Sequence, residues 1–193
     1  MAAVRDGAVV LAAGAGTRLG GVAKALLLHD GVPFVERIWA SLRSAFASDI
    51  VVVTRPQYQA ALIAWSRGRV RVVVNEEPER GMGSSVAVGF GSLPSRVERA
   101  WLWPVDHPVV RVATLRTIAN ALGSHDVARP IFDGRGGHPP LVARALFAPL
   151  AGCALLPEGA RSVLRAANTI DVAVNDPAVV RDIDTPADLE ALQ

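Results

Sequence analysis

AVVLAAGAGTRLGGVAK, residues 8–24, decides how the rest of the chain is read. The run from Ala8 to Ala13 is continuously apolar, the pattern of a strand buried on both faces. It breaks on Gly14, Gly16, Gly20 and Gly21, which let the backbone turn tightly and expose N–H groups. Such a turn suits anionic oxygens. Arg18 can fork onto a phosphate. Lys24 is the one lysine in a chain with twenty basic residues. Its compact ammonium follows a moving phosphate better than a planar guanidinium does. A plain strand–helix turn with a surface lysine is the alternative. Two familiar loops do not fit. The P-loop pattern G-x-x-x-x-G-K-[ST] runs from Gly16 to Gly21 but then meets Val22 and Ala23. The dinucleotide pattern G-x-G-x-x-G finds its third glycine one position late, and no acidic residue follows the second strand.

Outward from this stretch, apolar runs alternate with helical patterns. Strands are expected at 49–54, 70–75, 101–106, 127–132, 138–143 and 169–174. Helices are expected at 34–47, 56–66, 84–91, 112–122, 160–167 and from Pro186. Within RGRVRV (67–72) the alternation is that of an edge strand. Strand–helix alternation with continuous apolar strands predicts an α/β fold: a mostly parallel sheet with helices on both faces. Ligands of such sheets bind at the carboxyl ends of the strands. With 193 residues and no linker or repeat, one domain over 1–193 is expected.

Composition narrows the function classes. The net charge is +2 and the arginines are dispersed, so nucleic-acid binding is not indicated. No apolar run approaches a membrane span, and no leader pattern is visible, so a cytoplasmic protein without membrane partners is expected. The single cysteine, Cys153, reads as an inert, part-buried thiol.

Three further loops fall at strand ends. Asp106, in VDHP, is placed to bind a divalent cation, with an Asx-type turn as the alternative. His107 beside it reads as polar lining of the site or as an exposed side chain, the second being favoured. In NEEPERGMGSSV, Asn75 offers a paired donor and acceptor to a base edge. Gly81 precedes Ser84 and Ser85, which could cap the next helix; a surface turn and a cap is the plainer alternative. In RDIDTPADLEAL, Thr185 and Pro186 read as helix cap and first turn. With Asp182 and Asp184 placed on a strand and directed to opposite faces, only one can join Asp106.

Together, LAAGAGTRLGGVAKALL, NEEPERGMGSSV, VDHPVV, GRGGHPPL, GARSVL and DIDTPADL resemble the MobA-like nucleotidyltransferases, most closely the molybdenum cofactor cytidylyltransferases. The resemblance spans most of the chain in family order. It implies a Rossmann-like nucleotidyltransferase fold and Mg²⁺-dependent transfer of NMP from an NTP to the terminal phosphate of a pterin cofactor. By motif position, Leu11, Ala12, Ala13, Gly14, Gly16, Thr17, Arg18 and Lys24 would hold the nucleotide, with Arg18, Lys24 and Asp106 catalytic. Asn75, Gly81, Ser84 and Ser85 would line it. Asp106 and Asp184 would bind the metal, Asp184 being preferred to Asp182 because it directly precedes the T-P pair. Gly137, His138 and Pro139 would lie toward the acceptor. Ala13 stands where the guanylyl branch tends to carry glycine, which favours CTP. His107 departs from the family pattern and leaves the exact acceptor open. A molybdenum hydroxylase of the xanthine dehydrogenase type would be the partner. The rival readings are a guanylyl- or other nucleotidyltransferase acting on a sugar phosphate or phospholactate-type acid, a carrier of the molybdenum cofactor, and a nicotinamide-dependent reductase. The displaced glycine and missing acidic residue argue against the last.

Overall fold

The computed structural model describes residues 5–16 and 22–190. The expected strands form one sheet: β1 (Asp6–Leu11), β4 (Asp49–Thr54), β5 (Arg71–Val74), β6 (Arg99–Pro104), β7 (Val127–Phe132), β9 (Leu141–Ala143) and β10 (Thr169–Ala173). Their order is β10-β7-β9-β6-β1-β4-β5. The pairs β6-β1, β1-β4 and β4-β5 are parallel, as is β7-β10. Strand β9 is antiparallel to both its neighbours, β6 and β7. A short β8 (Arg135–Gly136) turns back on β7 as a hairpin, and a two-stranded ribbon of β2 (Leu28–His29) and β3 (Val32–Pro33) precedes the first helix. Strand β5 is an edge, although only Arg71 and Val72 of the alternating stretch 67–72 belong to it.

Both faces of the sheet are buried, and the strand period of two divides the core. Val10, Ile50, Val52, Trp101 and Trp103 face one cluster, shared with Phe34, Ile38 and Leu42 of α1 (Phe34–Ser44), Leu62 of α2 (Gln59–Ser66), and Leu115 and Ile118 of α4 (Val112–Ala121). Val9, Leu11, Val51, Val53 and Leu102 face the other. There they meet Val86 and Phe90 of α3 (Met82–Gly91), Leu150 of α5 (Phe147–Ala151) and Val163 of α6 (Ala160–Ala166). Helix α3 lies so close to β1 that a Cβ on Gly89 would stand 2.2 Å from Val9 Cγ1. Cys153 is fully buried beneath this layer, and burial pushes its thiol pKa up, as an inert thiol requires.

Several boundaries move: β1 and β6 begin and end two residues earlier than expected, α1 stops at Ser44, and of 138–143 only Leu141–Ala143 is strand. Pro56 opens a 3₁₀ turn to Tyr58 before α2 begins. Helix α3 starts at Met82 with Gly81 as its cap residue, two positions before the serines expected to cap it. Among the described residues, no helix is long and apolar enough to cross a membrane.

Candidate active site

The carboxyl ends of β1, β4, β5 and β6 open on one side, and the loops that follow them build the site. After β1, Ala12 remains tied to the sheet, its N–H donating to Val53 O at 2.8 Å. The chain then rises through Gly14, Ala15 and Gly16. Gly16 takes φ +62°, and a Cβ there would meet Val22 O at 2.3 Å, so this turn needs glycine. Tyr58 Oη donates to Ala15 O at 3.2 Å and supports the turn from below. Lys24 begins a 3₁₀ turn that ends at Leu26. Thr17, Arg18, Gly20 and Gly21 lie outside the described residues.

Lys24 meets two carboxylates from distant parts of the chain. Its Nζ lies 2.5 Å from Asp184 Oδ1 and 3.8 Å from Asp106 Oδ2. The backbone fixes that meeting. Val105 N–H donates to Leu11 O at 3.1 Å, and Ile183 N–H donates to Asp106 O at 2.9 Å, stitching the tail onto the end of β6. Ile183 is fully buried, with Asp182 and Asp184 on either side of it. The expected strand is absent here, and the opposite-face expectation does not hold even for one. Residues two apart on an extended chain share a side, and the core takes Ile183. What separates them is that they line different cavities.

Asp188 was not marked by the motifs, yet it sets the approach of Asp184. Its Oδ2 accepts from the N–H of Asp184 at 3.1 Å and of Thr185 at 2.7 Å, while Thr185 Oγ1 accepts from Asp188 N–H at 3.2 Å. This is a capping box at the start of α7 (Pro186–Glu190). The signal was present as T-P-A-D.

Burial pushes the Asp106 carboxyl pKa up, against the pull of neighbouring His107 and Lys24. Asp106 Oδ1 is buried with no hydrogen-bond partner. Among the described residues no three His, Cys, Asp or Glu side chains cluster as metal ligands. The Asp106–Asp184 pair, hard oxygen donors with one orphaned oxygen, nevertheless suits a Mg²⁺-like ion that draws its other ligands from phosphate and water.

A cavity of about 400 Å³ is lined by Leu11, Ala13, Gly14 and Gly16 from the first loop and by Gly81 and Ser85 from the third. Lys24, Asp106 and Asp184 form its polar end. Ala12, Asn75 and Ser84 are buried outside its lining. Asn75 is 2% exposed and its amide is spent. It donates to Ser84 Oγ at 2.8 Å and Ser85 Oγ at 2.9 Å and accepts from Glu77 N–H at 3.0 Å. It therefore braces the third loop and does not offer its amide to a base edge. Ser84 Oγ donates to Gly81 O at 2.8 Å, a bond to a carbonyl within the turn and not a helix cap.

A second cavity of about 260 Å³ adjoins the first, and Met82, Pro104 and Asp106 line both. Gly137 and His138 line its wall, while Pro139 is buried outside the lining. A Cβ on Gly137 would meet Val179 O at 2.3 Å, so the wall is packed directly on the tail. His107 is here as well, 6% exposed, contrary to the exposed position expected of it. Its Nδ1 lies 3.1 Å from Ala178 O, and a carbonyl only accepts, so Nδ1 carries the proton. The His107 and His138 rings lie 5.1 Å apart. Burial, then His107 and Arg161, push the His138 pKa down to about 4 against the pull of Asp182.

A mostly parallel sheet, a glycine-rich loop after β1 and a lysine between two carboxylates at the strand ends define a nucleotidyltransferase of Rossmann-like fold. Residues 8–172 match the MobA-like NTP transferase domain, and the chain belongs to that family. It is 30% identical over 191 residues to nicotine blue oxidoreductase of Paenarthrobacter nicotinovorans, covering 92% of this chain and 91% of that protein. It is 37% identical over 109 residues to a probable molybdenum cofactor guanylyltransferase of Methanothermobacter thermautotrophicus, covering 54% of this chain and 52% of that one. Among solved structures, Rv0371c of Mycobacterium tuberculosis H37Rv superposes with a TM-score of 0.81 at 25% identity, covering 98% of both chains. A manganese complex of the same protein superposes at 0.79.

Proposed function

We propose that the protein transfers CMP from CTP to the terminal phosphate of molybdopterin with a divalent cation, Mg²⁺, and releases pyrophosphate. The observation that carries this reading is the meeting of the two cavities at Asp106, with Lys24 and Asp184 at the polar end of the first. The glycine-rich loop offers N–H groups to the triphosphate, and Arg18 and Lys24 offer charge to the departing pyrophosphate. Asp106 and Asp184 would hold the metal, which supplies neutralisation of the phosphate charge. An oxygen of the acceptor phosphate, already anionic near neutral pH, forms the new bond to the α-phosphorus. The bond from that phosphorus to the bridging oxygen breaks, and pyrophosphate leaves with the electron pair. Positioning and charge therefore carry the rate, and no general base is required. Ala13 in the first loop supports cytidine over guanosine. The molybdenum cofactor assignment rests on the motif resemblance and on the guanylyltransferase relative, and a molybdenum hydroxylase would receive the product.

The test is pyrophosphate release with Mg²⁺, molybdenum-loaded pterin and each NTP in turn. Release with CTP, only when the pterin is present, is expected. Release with GTP alone would move the protein to guanylyl transfer. No release with any NTP would overturn the reading. A second reading, a reductase, is favoured by one observation: the near full-length identity to nicotine blue oxidoreductase. It requires oxidation of a nicotinamide cofactor at 340 nm on addition of an aromatic acceptor, a signal that nucleotidyl transfer does not produce.

A further inference from the structure

The second cavity has an unbalanced charge. Asp106 and Asp182 both line it, and its two histidines, His107 and His138, are buried or nearly so. Lys24 lines only the first cavity. A phosphate monoester entering here as an acceptor carries close to two negative charges and, even with a metal held at Asp106, would approach the carboxylate of Asp182. It needs a cation of its own, and one lines the cavity: Arg135.

The local structure holds this arginine ready. Asp133 and Gly134 take φ of +50° and +72°, the conformation of a tight two-residue hairpin turn, and Arg135 pairs with Phe132 across it. The backbone is fixed while the side chain remains exposed. Among the described residues Arg135 has neither an ion pair nor a side-chain hydrogen bond. Its neighbour on the same hairpin, Arg129, is already committed, with Nε and Nη2 at 2.8 and 3.0 Å from Asp171. A guanidinium presents parallel N–H donors that match two phosphate oxygens. His138 Nδ1, in the same cavity three residues on, is buried and has no partner.

We propose that Arg135 binds the phosphate group of the acceptor and so selects phosphorylated over unphosphorylated acceptors, an inference that rests on the nucleotidyl-transfer reading above. Arg135 then steadies a phosphate that must present one oxygen beside Asp106 while the nucleotide occupies the first cavity.

The test compares wild type with Arg135→Gln and Arg135→Lys, both at an exposed position. With molybdopterin and CTP, Arg135→Gln should raise the acceptor KM tenfold or more and leave the CTP KM within twofold. Arg135→Lys should recover part of that loss. Unchanged acceptor KM in Arg135→Gln, or a rise in CTP KM as large as the rise for the acceptor, would overturn the proposal. Calorimetric titration with phenyl phosphate, with phenol as control, separates this proposal from the nucleotidyl reading because it needs no turnover. Wild type should bind phenyl phosphate at least fivefold more tightly than Arg135→Gln and should not bind phenol. Equal binding by the two proteins would refute the assignment of Arg135 even if NTP turnover were found. If no NTP were consumed, the nucleotidyl reading would fail, and this titration would still decide whether Arg135 holds a phosphate.

Discussion

Replacing Lys24 with methionine keeps the aliphatic stem and removes the charge. In the wild type that charge lies 2.5 Å from Asp184 and 3.8 Å from Asp106, with the three side chains 14%, 37% and 26% exposed. Breaking a buried pair costs roughly 3–5 kcal/mol, whereas surface pairs contribute roughly 0–1 kcal/mol. Part-exposed groups fall between, so Lys24→Met should lose about 1–2 kcal/mol, or roughly 2–8 °C in Tm for a chain of this size. The loss arises from two carboxylates left facing each other. A divalent cation can replace the missing charge, so millimolar Mn²⁺ or Mg²⁺ should raise the Tm of Lys24→Met more than that of wild type. Thermal melts of both proteins, with metal and with chelator, measure this. Under the proposed nucleotidyl transfer Lys24 also contacts the triphosphate, which no metal replaces, so kcat/KM should fall roughly 10²-fold or more whether or not metal is added. If Lys24→Met melted at the wild-type temperature with and without metal, the ammonium would not be balancing the carboxylates. Near-normal turnover in Lys24→Arg would separately refute the need for a compact point charge.

Asn75→Ala removes a buried amide and leaves a backbone N–H and two hydroxyls to find new partners. A loss of about 1–3 kcal/mol in urea denaturation is expected, with a raised nucleotide KM because Ser85 and Gly81 line the first cavity. Gly89→Ala forces a methyl group against Val9 of the central strand and should destabilise by about 1–3 kcal/mol, read from the urea midpoint with an unchanged m-value. His138 gives a pH dependence of definite sign. Its pKa is about 4 in the folded state against 6.5 as the ordinary value, so between these the unfolded chain binds more protons. The stability it contributes is complete above pH 6.5 and declines as pH falls toward 4. At pH 5 the loss is about 2 kcal/mol. The stability difference between wild type and His138→Asn should shift by that amount between pH 7.5 and 5, and a difference independent of pH would refute the assignment.

Continuous apolar runs made β1, β4 and β6 legible, because strands buried on both faces have no polar alternation to obscure them. Lys24, Asp106 and Asp184 were legible for a related reason: each follows a strand end or precedes a marked helix start. The burial of His107 was not. It depends on Ala178, 71 positions later, whose carbonyl closes over the ring, and no local pattern carries such a contact. The hydrogen bonds of Asn75 within its own loop are not legible from the motif. The amide that suits a base edge suits two hydroxyls equally well, and the serines nine and ten residues on read from sequence as helix caps or nucleotide lining. Strand β9 was found, but its reversed direction was not, since three residues leave no trace of orientation.

Lys24 and Asp184 are 160 positions apart, and the strap that carries Asp184 is fastened to the end of β6 by the Ile183–Asp106 hydrogen bond. Synthesis runs in one direction. The glycine-rich loop and Asp106 leave the ribosome long before residue 183 exists, and for that interval Lys24 can meet only one of its two carboxylates. Any nascent or cleaved chain that lacks the strap holds Lys24 with Asp106 alone, so the second partner of the lysine depends on residues made 160 positions later.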